Sequence, residues 1–347
     1  MIDIQLFSGK NEWDAYVSRN DQSSFSHLFG WGNALASVYD LQIFRLVARD
    51  RRKQDKIVGI LPLIFFPAPG LDTRLISLPY SDAAGILADT AGVQEELILA
   101  GLSLAEDLGA VHLELRQSGD LAIPKTSLTA THTLNTFKVG LSRNLPDAEE
   151  TLWQEIGTKV RNQVRKAKKS GGQLIIGGPE LLCQFYAVFS ENMRDLGSPV
   201  HDRMLFEQMA HHLQEQIQIL IVTIGGIPAA ATMVFSHNAT LFNPWASSLR
   251  RYRPECPNML LYWGMLSHGL KKGCRRFDFG RSSPHASTCR FKYQWGAELQ
   301  PLTWHVFSQA HHRWAPECET LVDMKWKRKT VEASQKLGPS IRRWISL

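Results

Sequence analysis

The apolar and polar positions divide the first half of the chain into short strands and amphipathic helices in mixed order. Residues 2–7 alternate with the two-residue period of a strand, while 11–19 and 26–39 carry the longer period of helices. Two apolar runs, 41–49 and 56–66, flank the charged turn at 50–55 and predict a pair of strands. A third strand at 74–78 leads into the turn-rich stretch LPYSDAAG. Residues 93–108 predict an amphipathic helix that Gly109 stops, followed by strands at 111–115 and 131–141. The order βααβββαβ is that of an α/β sandwich.

The second half reads similarly. A long helix is predicted over 147–169, ending at Ser170-Gly171-Gly172, with a strand at 174–176 and helices over 180–196 and 203–215. Strands 217–224 and 229–235 form a hairpin over Gly225-Gly226-Ile227-Pro228, and another strand covers 240–246. A helix over 258–272 stops at Gly273 and precedes a strand at 276–279. The last strand is expected at 301–307, and 311–347 as a peripheral helical extension. A faint repeat links the halves. Gly109, Leu113 and Glu114 recur 164 positions later as Gly273, Phe277 and Asp278. We read two copies of one fold, with domains at 1–142 and 143–310 and an extension at 311–347.

Composition agrees with this division. The chain has 347 residues, 44% hydrophobic and 21% charged, which suits two globular cores. A net charge of +6 permits a polyanionic partner without requiring one. The cysteines (Cys183, Cys256, Cys274, Cys289 and Cys318) are odd in number and lack CxxC spacing, so neither a disulfide framework nor a structural zinc site is expected. His27, His112, His132 and His268 lack metal-ligand spacing, and no metal is expected. Nucleotide-binding fingerprints are missing, and the only GxG, Gly30-Trp31-Gly32, falls in a predicted helix. The N-terminus carries no signal-peptide pattern and no run is long enough to span a bilayer, so the expectation is a cytoplasmic protein, at most peripheral to the inner face of the membrane.

Several stretches of the second half together resemble one family: KVRNQVRKAKKSG, ENMRDLGSPVHDRMLFEQM, RPECPNMLLYWGMLSHGLKKGCRRFDFGRS and CRFKYQWGAE. In the first half GILPLIFF, LISLPYSDAAGILAD and LGAVHLELR fit the same pattern. The chain resembles the FemA/FemB/FemX family over about residues 25–308, in particular the branch associated with exosortase and exopolysaccharide systems. The resemblance implies an α/β fold of two tandem GNAT-like domains, mixed central sheets flanked by helices. It implies transfer of an aminoacyl or acyl group to an amine, with aminoacyl-tRNA or acyl-CoA as co-substrate and no permanently bound cofactor. Some members carry a helical arm in the second domain; no long paired coiled-coil insertion occurs here, so the arm is expected to be absent or reduced.

Such a reaction needs an unprotonated amine, a stabilised oxyanion and reactants held in register. The resemblance places the family's Phe-Lys pair at Phe291-Lys292, beside Arg290, and Lys292 becomes the first candidate to hold the donor or stabilise negative charge. Asp278, on the strand ending at Gly280-Arg281, is a candidate to orient or deprotonate the amine, or else pairs with a neighbouring arginine; Glu114 is its counterpart in the first half. Arg281, Trp245 and Ser247 are candidate substrate contacts, as are Tyr80 and Asp82 from the SLPYSD stretch and Arg194, His201 and Arg203 around the 197–199 turn. On the 147–169 helix one apolar seam faces a basic half that includes Arg161, Arg165, Lys168 and Lys169; this suits an anionic donor such as tRNA, or is simply a solvated face. Tryptophans among basic residues near the C-terminus, Trp326 and Trp344, suggest contact with a membrane surface, or a helix packed on the body. The acceptor expected is a small-molecule or lipid-linked glycan or peptide amine. The alternatives are an acyl-CoA-dependent N-acyltransferase acting on an amino sugar and a non-catalytic glycan- or lipid-binding module.

Overall fold

The computed structural model describes residues 1–67, 72–124, 130–309, 312 and 326–345. In chain order the elements run β1 (Ile2–Leu6), α1 (Lys10–Arg19), α2 (Phe29–Tyr39), β2 (Gln42–Asp50), β3 (Lys56–Phe66), β4 (Arg74–Ile76), β5 (Leu87–Ala88), α3 (Ala91–Asp107), β6 (His112–Gln117) and β7 (Thr131–Asn135). There follow β8 (Val139–Asn144), α4 (Glu149–Glu155), α5 (Thr158–Lys169), β9 (Gly172–Gly177), α6 (Leu182–Leu196), α7 (Arg203–His212), β10 (Ile217–Ile224), β11 (Ile227–His237), β12 (Thr240–Ser248), α8 (Pro257–Lys271), β13 (Arg276–Ser282), α9 (Ser287–Tyr293), β14 (Glu298–Pro301), β15 (Thr303–Ser308) and α10 (Val331–Arg342).

These elements form two compact units. One comprises Met1–Phe137, Pro301–Glu317 and Arg343–Leu347; the other comprises Lys138–Gln300 and Cys318–Arg342. The first unit's sheet has the order β1-β2-β3-β4-β6-β15-β7, with β5 paired to β3. It is antiparallel apart from β4 and β6, which run parallel on either side of the α3 crossover. Leu61, Leu63, Leu97, Ile98, Leu113 and Phe307 form its core. The second unit's sheet has the order β14-β8-β13-β12-β11-β10-β9. Its parallel pair, β12 and β13, straddles α8. Val160, Val164 and Ala167 of α5 and Leu261 and Met265 of α8 pack into its core with Val222, Leu241 and Phe277.

The internal repeat has a structural counterpart. Gly109 and Gly273 both take the left-handed conformation, φ +66° and +76°, after α3 and α8. The β4–β6 ladder ends at Ile76↔Glu114 and the β12–β13 ladder at Phe242↔Asp278, so Glu114 and Asp278 close equivalent ladders.

Three expectations change, and one element is new. The strand expected over 131–141 is two strands in different sheets, β7 and β8, parted by a turn in which the Phe137 N–H donates to Asn135 Oδ1 (3.2 Å). The helix expected over 147–169 is two, because Ile156 and Gly157 are extended and Gly157 begins α5. The 301–307 strand, which the sequence reading assigned to the second domain, lies in the first sheet as β15, between β6 and β7. Residues 287–293, to which the sequence reading assigned no element, form α9. Of the C-terminal extension, 311, 313–325 and 346–347 lie outside the described residues.

Candidate active site in the second unit

β12 and β13 start as a parallel pair and then stop pairing. Past Phe242↔Asp278 no ladder pair joins them, although β12 stays paired to β11 as far as Ser248 and β13 to β8 as far as Ser282. Two strands that part inside a sheet leave inward-facing backbone N–H and C=O groups for a ligand to use. In the first unit the equivalent parting is bridged. The Ser77 N–H donates to the Glu114 carbonyl (2.8 Å), the Arg116 N–H to Ser77 Oγ (2.7 Å) and the Ala84 N–H to the Arg116 carbonyl (3.1 Å). The buried Arg116 side chain also fills that space, donating to Glu114 Oε1 (2.8 Å) and the Ser81 carbonyl (3.1 Å) and lying over Trp304. The opening in the second unit is therefore the candidate site.

Lys292 and Asp278 brace its β13 side. Lys292, carried in by α9, is 7% exposed, and its ammonium donates to the carbonyls of Gly280 (2.9 Å) and Arg281 (2.7 Å). Asp278 Oδ1 accepts the Gly280 N–H (2.6 Å). Gly280 sits at φ +69°, in a bulge between Asp278 and Arg281. Only glycine takes this conformation without strain, so the bulge is written into the FDFG sequence. Both side chains thus hold β13's own backbone at the point where the strands part.

The α8 side is aromatic. Tyr262 stacks on Phe279 (6.1 Å) and Trp295 (5.9 Å) and meets Phe291 edge-on (4.8 Å). Burial pushes its hydroxyl up to about 12, and the neighbouring Asn243 opposes part of that rise. Asn243 and Ser282, one on each strand, are both buried. The Asn243 amide meets the Tyr262 hydroxyl, and Ser282 Oγ has no hydrogen-bond partner among the described residues.

On the other side Trp245 packs against Phe206 (5.0 Å) and His201 (6.1 Å), and Ser247 Oγ accepts from Asn192 Nδ2 (3.3 Å). His201 is buried and accepts at Nε2 from Arg342 Nε of α10 (3.2 Å). Burial, then the Arg342 charge, hold its pKa well below the ordinary imidazole value. Arg194 Nε donates to Asp195 (2.7 Å), while Arg203 donates to Glu207 (2.9 Å) and Cys183 Sγ (3.3 Å). Those two arginines tie down the helices around the turn. Arg290 is exposed on α9 and Arg281 half-buried on β13.

Tyr80 and Asp82 belong to the first unit. Tyr80 (φ +64°) packs on Tyr39 and donates to the Arg343 carbonyl (3.2 Å), and the Asp82 carbonyl accepts from Trp304 Nε1 (3.0 Å). On α5, Arg161 caps α4 by donating to the carbonyls of Trp153, Gln154 and Ile156 (3.0–3.1 Å), and Arg165 lies over Trp153. Lys159, Arg165, Lys166, Lys168 and Lys169 remain exposed as a basic stripe. α5 leads into β9, the strand at the sheet edge, three interstrand steps or ~14 Å from β12. Trp326 is buried and donates to Ser334 Oγ (3.0 Å), so it is not presented to a membrane. No helix among the described residues is long and apolar enough to cross one.

Sequence reading missed Asn243, Ser282 and Tyr262. Asn243 and Ser282 are ordinary strand residues in sequence, and only the end of the parallel ladder shows where they stand. Tyr262 lies in a helix that is apolar nearly all round.

Comparison with known proteins agrees with this geometry. Residues 158–293 match the family model described as Acetyltransferase (GNAT) domain. No curated protein matches the chain in sequence. Among solved structures the chain is similar to FemX, at 14% identity and TM-score 0.68, covering 87% of this chain and 96% of that one. It is similar to the C-terminal domain of a putative lysylphosphatidylglycerol synthetase from Agrobacterium fabrum, at 10% identity and TM-score 0.57, covering 95% of both. A tandem GNAT protein from the clavulanic acid biosynthesis pathway aligns at 12% identity and TM-score 0.52, over 88% of this chain and 98% of that one. The chain has the tandem GNAT fold.

Proposed function

We infer from this FemX-like tandem GNAT fold that the protein is an amide-forming acyltransferase whose second unit does the chemistry. An acceptor amine attacks the carbonyl carbon of an activated acyl ester or thioester lying between β12 and β13. The carbonyl π pair moves onto oxygen and then returns, breaking the bond to the carrier, and the carrier leaves with a proton from the amine. No covalent enzyme intermediate is needed, because the donor is already activated. The observation that carries this reading is the parting of β12 from β13 past Phe242↔Asp278, beside the buried Ser282 hydroxyl.

An aminoacyl group on tRNA is the donor we favour, and an amine of a cell-envelope or exopolysaccharide precursor the acceptor. The name of the putative lysylphosphatidylglycerol synthetase, an aminoacyl group on a lipid headgroup, supports an aminoacyl cargo. The exposed stripe on α5 supports a polyanionic carrier long enough to reach from the sheet edge to the opening. The match to the GNAT acetyltransferase model favours acyl-CoA as the second reading. Titration with charged tRNA and with acetyl-CoA in parallel separates them. The first reading expects charged tRNA to bind, with affinity falling steeply with salt; binding of acetyl-CoA alone favours the second. Absence of transfer to any amine from both donors would end the enzymatic reading.

A further inference from the structure

α10 packs the reverse of a helix that folds onto a protein body. Inward it presents small and polar residues. Ser334 and Gly338, four apart, are its buried positions. Ser334 Oγ accepts from Trp326 Nε1 (3.0 Å), and Gln335 donates to Ser190 Oγ on α6 (2.7 Å). Gly338 lies so close to the 197–202 turn that a Cβ there would stand 2.9 Å from Val200 N. Outward α10 carries Leu337 and Ile341, 43% and 38% exposed. They too are four apart and therefore neighbours on one face. A helix seated on a domain ordinarily buries its aliphatic stripe; here that stripe is the part left open. Leu196 and Met204, on the helices either side of the same turn, are also exposed.

We propose that this outer face of α10, with the basic turn before it, docks the protein on an anionic lipid surface. Charge identifies the occupant. Residues 326–342 carry Lys327, Arg328, Lys329, Lys336 and Arg342 against one acid, Glu332. Lys327, Arg328 and Lys336 are exposed. Aliphatic side chains flanked by cations on an exposed helix match the interface of a bilayer, where the apolar groups enter the acyl boundary and the cations meet headgroup phosphates. A second copy of this chain fits less well, because a two-fold contact through the face sets its cations against their own kind. A nucleic acid would engage the cations and leave Leu337 and Ile341 in water. The inference stands apart from the acyl-transfer reading, since what it predicts is partition and not turnover.

The test is flotation of the full chain with vesicles of phosphatidylcholine alone and of phosphatidylcholine mixed with phosphatidylglycerol. The chain is expected to partition onto the mixed vesicles only, and less as salt rises. Leu337→Gln with Ile341→Gln should lower that partition at least about tenfold. Arg328→Gln with Lys336→Gln should lower it about fivefold for each cation removed. Wild-type indifference to phosphatidylglycerol overturns the proposal. Retention of wild-type partition by either pair, with far-UV circular dichroism unchanged, overturns it too, because the binding then lies elsewhere on the chain. Dimerisation that the aliphatic pair abolishes, without vesicle binding, assigns the face to a second copy and also overturns it. Should the aliphatic pair fail to fold, the charge pair, at two exposed positions, decides alone.

Discussion

At the residue scale the candidate site turns on side chains spent on backbone. Lys292 and Asp278 resemble catalytic groups in sequence, yet their hydrogen bonds to Gly280 and Arg281 hold a bulge. Lys292→Ala leaves two carbonyls without their donor, a cost of about 1–3 kcal/mol each in a buried setting. We expect the variant to lose transfer and to show faster amide exchange over 279–282, with exchange over 217–224 unchanged. Unchanged exchange at 279–282 would show that the lysine does not support the bulge. A second residue-scale prediction concerns the first unit, where His132 Nε2 lies 3.1 Å from His305 Nδ1 with the rings stacked. Burial, then His132, pushes His305 from 6.5 down to about 4. Above pH 6.5 the neutral ring is present folded and unfolded, and its contribution to stability is complete. Between pH 6.5 and 4 the unfolded chain binds a proton that the folded chain does not, so stability falls by on the order of 3 kcal/mol and levels off below pH 4. Urea unfolding at pH 7, 5.5 and 4 measures this, and His305→Gln should flatten the slope.

At the element scale the sequence was most legible where a local signal had no competitor. β3 was bounded correctly by its apolar run, and the αL glycines at 109 and 273 ended α3 and α8 as expected. The seam Val160, Val164 and Ala167 is buried as its helical spacing required. Legibility failed where tertiary pairing decides. Nothing local separates β7 from β8, and nothing in β12 marks where its partner departs. α9 is seven residues long, too short for a periodic signal. α10 shows how closely one element can depend on a single residue. A Cβ on Gly338 would stand 2.9 Å from Val200 N and 2.8 Å from Val200 Cγ1. Gly338→Leu should therefore lift α10 from the 197–202 turn, and with it the Arg342–His201 and Gln335–Ser190 hydrogen bonds. The buried Trp326 gives the readout, a red-shifted emission; an unshifted spectrum would mean the helix accommodates the side chain.

At the scale of the whole molecule each sheet is a separate construction, and the repeated parallel pair has diverged in the two. In the first, Arg116 and the 77–84 turn occupy the parting; in the second the buried Ser282 Oγ has no hydrogen-bond partner among the described residues. Truncation separates the structural demands. A chain ending at residue 312 keeps every strand found among the described residues and should remain folded by far-UV circular dichroism. A chain ending at 300 strips β15 from between β6 and β7 and should aggregate. The place of β15 also bears on synthesis at the ribosome. The strand that joins β6 to β7 is translated only after the entire second sheet has emerged, so the unit that begins first is finished last. Until then β6 waits with a bare hydrogen-bonding edge, and a pause in translation near residue 300 would prolong the time a nascent chain spends open to misassociation.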